Sequence, residues 1–173
     1  MAASRTPEVW LRGPLPGYPA TLMPVAHALL QAREDVERAA GEATAEELSQ
    51  RPGGAASAGY HLQHLAGSLD RLFTYARGEP LDESQRAALL QEGTAGATGS
   101  VLVPAVLSQI DRALQQLRHV RVESLSEARE VGRARLPSTV LGLLFHAAEH
   151  TARHAGQVIL TLKVVRGLRQ APS

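Results

Sequence analysis

A chain of 173 residues is long enough to bury one sizeable core and short enough to be a single domain. Its 18 Lys+Arg against 17 Asp+Glu leave a formal net charge of +1, which gives no electrostatic footprint for nucleic acid and no charged tail. The cysteine count is 0, so disulfide frameworks, thiolate metal sites and a cysteine nucleophile are excluded, and metal ligation falls to histidine and carboxylate. No apolar run approaches the roughly 20 residues of a membrane span and no signal-peptide pattern opens the sequence, so a cytoplasmic location is expected.

Residues 1–19 carry Pro7, Pro14, Pro16 and Pro19 with Gly13 and Gly17, and read as an irregular arm. Trp10, the only tryptophan, is expected to plug a core. The first helix is predicted from near Thr21 to about Ala40, with Pro24 in its first turn, apolar Val25, Leu29, Leu30 and Val36, and a stop at Gly41. His27 on it reads as a partly exposed polar residue. Thr44-Ala45-Glu46-Glu47 fits a capping box and one short turn. The second long helix is predicted from Ser57 as cap to Gly78, its apolar stripe formed by Tyr60, Leu65, Leu69, Leu72 and Phe73.

A long connection, Glu79 to Ser100, is expected to hold a short helix at Ser84–Gln91 and then the glycine-containing run Gly93 to Gly99. The third long helix starts near Ser100 with Pro104 in its first turn and buries Val106, Ile110, Leu114 and Leu117. His119 at its end reads as a solvated residue where cations are favoured. Val122 to Pro137 is polar and reads as an extended connection. The fourth long helix is predicted from a cap at Ser138 or Thr139 to about Arg166, with Gly167 as stop. Four long helices, each with one apolar face, predict an all-α four-helix bundle over residues 20–167, followed by a tail, 168–173.

The fourth helix carries three of the seven histidines, His146, His150 and His154, at i, i+4 and i+8. Each helical residue turns by about 100°, so the three form one ladder on one stripe. Two histidines one turn apart can hold a divalent metal, as in helical His-Glu-x-x-His sites. A third ligand is available from the pair His61 and His64 on the second helix. The plain alternative is a core with hydrogen-bonded histidines; several buried neutral imidazoles without partners cost about 1–3 kcal/mol each, and a metal relieves that. The metal reading is preferred.

Gly59-Tyr60-His61-Leu62-Gln63-His64-Leu65-Ala66-Gly67-Ser68 and His150-Thr151-Ala152-Arg153-His154-Ala155-Gly156-Gln157 resemble the DinB-like (YfiT-like) superfamily of damage-inducible four-helix-bundle metalloenzymes. The resemblance runs from the first helix to Gly167. It implies an up-down-down-up bundle with a long crossover between the second and third long helices, which the Glu79–Ser100 connection would supply. It implies a metal triad of His150 and His154 with one second-helix histidine, placed on His64, with His61 as rival. His146 is extra to the motif and is read as lining the pocket, beside Tyr60, Leu144 and Phe145, with a proton acceptor or a plain helix residue as the alternatives. Glu149 lies about 100° around the helix from His150 and reads as a surface group or a second-layer contact.

Three protein ligands leave a position open for water or substrate. Three imidazoles suit zinc, nickel, copper or iron, with zinc or nickel favoured. The resemblance implies a thiol S-transferase using a low-molecular-weight thiol on a small electrophile; the alternatives are a metal-dependent hydrolase and a non-catalytic metal-binding or stress-response protein. A small-molecule substrate and a homodimer are the expected partners, with neither nucleic acid nor membrane.

Overall fold

The computed structural model describes residues 6–93 and 97–170. The ends of the expected arm and tail, and residues 94–96 of the glycine-containing run, therefore lie outside the described residues. Among the described residues there are six α-helices: α1 (Met23–Ala40), α2 (Ala45–Ser49), α3 (Ala58–Ala76), α4 (Glu83–Gln91), α5 (Gly99–Arg118) and α6 (Val140–Gln170). A two-stranded antiparallel hairpin, β1 (Ala128–Val131) and β2 (Leu136–Thr139), precedes α6, with Ala128 opposite Thr139 and Val131 opposite Leu136.

The start signals act as local chemistry requires. Thr44 closes the capping box with Glu47, Ser57 Oγ accepts from the Tyr60 amide at 3.1 Å, and Thr139 Oγ1 accepts from the Gly142 amide at 3.0 Å. Pro24 sits at the head of α1, where its missing N–H is not needed. Pro104, by contrast, lies inside α5 and not in its first turn, because the helix opens at Gly99. Gly99 is there for a close approach: a Cβ would collide with the Ala40 carbonyl, and its own amide donates to Ala43 O at 2.9 Å.

The four long helices bury their apolar stripes on one another. Val25, Leu29, Ala32 and Val36 of α1, Leu62, Leu65, Leu69 and Phe73 of α3, Val106, Ile110 and Leu117 of α5, and Leu144, Ala147, Val158 and Leu162 of α6 make one continuous core. Each long helix touches two others: α6 packs on α3 and α1, and α5 packs on the same two. The α4 helix lies outside this ring and buries no residue.

Three expectations are corrected. Trp10 is 60% exposed and borders an open cavity of about 550 Å³ with Pro24, Ala32 and Ala155 instead of closing over the core; its neighbour Val9 is fully buried, and the arm around them makes a short 3-10 turn, Val9–Arg12. Gly167 does not stop α6, which continues to Gln170 and so runs into the expected tail. A single glycine costs a helix only about 1 kcal/mol, which the packed face upstream outweighs. The connection after α5 forms a hairpin that the sequence hides, because its strands are four residues long and largely exposed. Among the described residues no helix is long and apolar enough to cross a membrane.

Candidate metal centre

Helical spacing places His61 and His64 on one side of α3, and His150 and His154 one turn apart on α6. The two helices lie against each other, so four imidazoles interlock. His64 Nε2 faces His150 Nε2 at 3.0 Å, and His61 Nδ1 faces His154 Nδ1 at 3.0 Å. His64, His150 and His154 each offer a ring nitrogen within 4.8 Å of the other two. Tyr60 stacks on His64, with centroids 5.5 Å apart and planes 7° apart.

The chemistry of this cluster is incomplete without a further partner. A neutral imidazole has one donor and one acceptor. His150 Nδ1 is buried without a hydrogen-bond partner, as is the neighbouring Thr151 Oγ1. Unpartnered buried groups of this kind cost roughly 1–3 kcal/mol each. Three imidazole nitrogens at this spacing are a donor set for a borderline-soft divalent ion. The residues present thus fit a divalent metal ion, and His64, His150 and His154 would hold it.

Burial favours the neutral form of His61, His150 and His154. Desolvation, then the neighbouring His64, pushes His61 below the usual imidazole range. Desolvation, then His64 and His146, lowers His150. His154 is pushed down to about 4, first by burial and then by His150, His64 and His61. Lone pairs are therefore available at neutral pH. The linkage sign follows: the unfolded chain binds these protons more readily, so their contribution to stability is complete above about 6.5 and is lost as pH falls toward about 4. Metal-free protein is expected to lose up to about 3 kcal/mol across that window through His154 alone. Thermal denaturation in chelator from pH 7.5 to 4.5 tests this. A His154→Gln variant should show a shallower decline, and parallel curves would refute the assignment.

His64 has a partner that the sequence concealed. Its Nδ1 lies 2.6 Å from Glu92 Oε2, and Arg71 Nη1 donates to Glu92 Oε1 at 2.7 Å. The Arg71 and Glu92 side chains are only 10% and 9% exposed. Glu92 follows α4 in the connection and has no periodic relation to His64, so only the landing of that connection on α3 brings them together.

The remaining assignments separate. His61 is buried and bonded to His154, outside the converging three. His146 is half-exposed, and its Nδ1 lies 2.8 Å from Glu149 Oε1. His146, Glu149 and His150 are also close enough to share a cation, but Arg153 already holds Glu149 Oε2 at 2.6 Å. Phe145 is 63% exposed and Leu144 is fully buried in the core. Tyr60, whose ring stacks on His64, also lines a cavity of about 250 Å³ with Gln63, Ser57, Arg51, Gly93 and Leu102. His27 Nε2 lies 3.1 Å from Gly13 O, and His119 is exposed at the end of α5.

The comparisons with known proteins agree with this architecture. A crystal structure titled the conserved protein of locus from Enterococcus faecalis superimposes with a TM-score of 0.70 at 19% sequence identity, covering 84% of this chain and 97% of that one. At that identity the likeness speaks for the fold. No curated protein matches. The sequence model of the DinB superfamily matches residues 28–158, a span that takes in most of α1, all of α3 and α5, and the histidines of α6. The chain belongs to the DinB superfamily.

Proposed function

We propose that the protein binds one divalent metal through His64, His150 and His154 and uses it as a thiol S-transferase on small electrophiles. The observation that carries the reading is the convergence of those three imidazoles, which bring one ring nitrogen each to within 4.8 Å of the other two. A divalent ion at such a site lowers the pKa of a thiol or water, so that the nucleophile is anionic near neutral pH. The chain's own residues shape the rest. The small cavity beside Tyr60 accepts a compact electrophile against an aromatic wall, and Gln63 supplies a polar edge.

The choice of thiol over water rests on the carboxylates. Glu92 is engaged by Arg71 and His64, and Glu149 by His146 and Arg153. Neither is a free general acid for a departing amine or alkoxide, and thiolate attack on carbon needs less proton management. In the transfer the sulfur forms an S–C bond, and the leaving group departs with its electron pair. The experiment is metal-loaded protein with a chloronitrobenzene electrophile and a panel of cellular thiols. Thiol-dependent turnover above the His150→Ala control is expected. Its absence for every thiol overturns the transferase reading, and thiol-independent turnover would mark a hydrolase.

We also read the bundle as up-down-down-up. Its support lies in pairwise contacts: His61 meets His154 while His64 meets His150, Arg166 reaches Glu47 beyond the end of α1, Arg33 meets Asp111, and Gln109 meets Asp70 while Gln116 meets Phe73.

A further inference from the structure

We propose that Glu92 is a positioning residue of the metal centre, holding His64 in the tautomer and ring orientation that present Nε2 as a ligand. The inference rests on the three-histidine reading and deepens it. An imidazole has one proton to place. With Nδ1 at 2.6 Å from the Glu92 carboxylate, that proton belongs on Nδ1, and Nε2 carries the lone pair. Nε2 is also the atom that faces His150. A carboxylate behind a ligating histidine fixes the ring and raises its basicity, and loss of such a partner commonly costs 10–100-fold in metal affinity.

The surroundings are built for this carboxylate. Tyr60, His64, Gly67 and Arg71 are spaced by four, three and four along α3, so they form one stripe. The connection after α4 lands on that stripe. At Gly67 the absence of a side chain leaves room for this pair: a Cβ there would stand 2.7 Å from Arg71 Nη1 and closer still to Glu92 Oε1, so one of the two side-chain ends would have to move. Arg71 is nearly buried, and its recorded partner is Glu92. Next in the chain, the Gly93 amide donates to Gln63 Oε1 at 2.7 Å. Gly93 lies against the Tyr60 ring with a φ of +87°, a backbone state that disfavours any other residue. The α4 helix itself contributes no buried residue, so polar bonds hold it: Gln85 to Asp70 and Thr74 at one end, Glu92 to Arg71 and His64 at the other. One contact therefore both docks the crossover and orients a ligand.

The test has two readouts, neither of which is activity. In metal-free protein, nitrogen chemical shifts of the His64 ring should show the proton on Nδ1. That preference should relax in Glu92→Ala and in Arg71→Met/Glu92→Leu, a double variant that leaves no unpaired buried charge. Zinc affinity, measured by competition with a chromophoric chelator, should fall 10–100-fold in both, and Glu92→Gln, whose amide oxygen can accept the same bond, should recover part of it. A wild-type His64 protonated on Nε2, or unchanged zinc affinity in the folded double variant, overturns the proposal. If wild-type protein takes up no zinc yet the tautomer responds to Glu92, the metal reading falls and the hold of Glu92 on His64 stands.

Discussion

His150→Ala is expected to abolish stoichiometric metal binding. His150 lies between His64, whose Nε2 is 3.0 Å away, and His154, one helical turn on. It also owns the buried nitrogen that has no other partner. Removing it leaves two imidazoles, which hold a divalent ion poorly. The loss should exceed the 10–100-fold that follows from changes around a ligand, so metal content after dialysis should drop to background. His64→Ala should behave the same way. His61→Ala should keep one equivalent, because His61 contacts His154 and is not one of the converging three. Metal analysis of the four proteins decides the matter. One full equivalent retained in His64→Ala but lost in His61→Ala would move the third ligand to His61.

The second large effect separates the two phenylalanines. Phe73 on α3 is 1% exposed and belongs to the continuous core, whereas Phe145 on α6 is 63% exposed. Phe73→Ala deletes a large buried ring and leaves a void between packed helices, costing about 3–5 kcal/mol. That is a large part of the roughly 5–15 kcal/mol that holds a domain of this kind folded. Phe145→Ala should stay within about 0.5 kcal/mol, as surface changes do. Urea denaturation of both variants measures the contrast. Equal destabilisation would show that Phe145 is covered by something the isolated chain does not display. Hydrophobic spacing predicts that a residue is on a helix, and only the neighbour decides which side of the stripe it occupies.

Local rules reached far into this protein. Caps at Thr44, Ser57 and Thr139 and a helix-opening proline at Pro24 bound their elements, because these effects act within one turn and need no tertiary partner. The ladder His146, His150, His154 was equally legible, since 3.6-residue periodicity alone puts those positions on one stripe. Four apolar stripes required four helices to share a core. Other features depended on what lies across a gap in sequence. The sorting of His150 and His154 from His146, and of His64 from His61, was decided by where α3 crosses α6. The hairpin before α6 had no hydrophobic alternation to announce it, and it is tied down by backbone bonds from Val140 to Glu127 and from Leu141 to Leu125. Gly67 and Gly99 looked like ordinary small residues until Glu92 and Ala40 came against them. Glu92 itself carries no local signature, since its role arises from a contact spanning 28 residues. Periodicity and capping are encoded within a few residues; the pairing of a carboxylate with a distant imidazole exists only once the helices have packed.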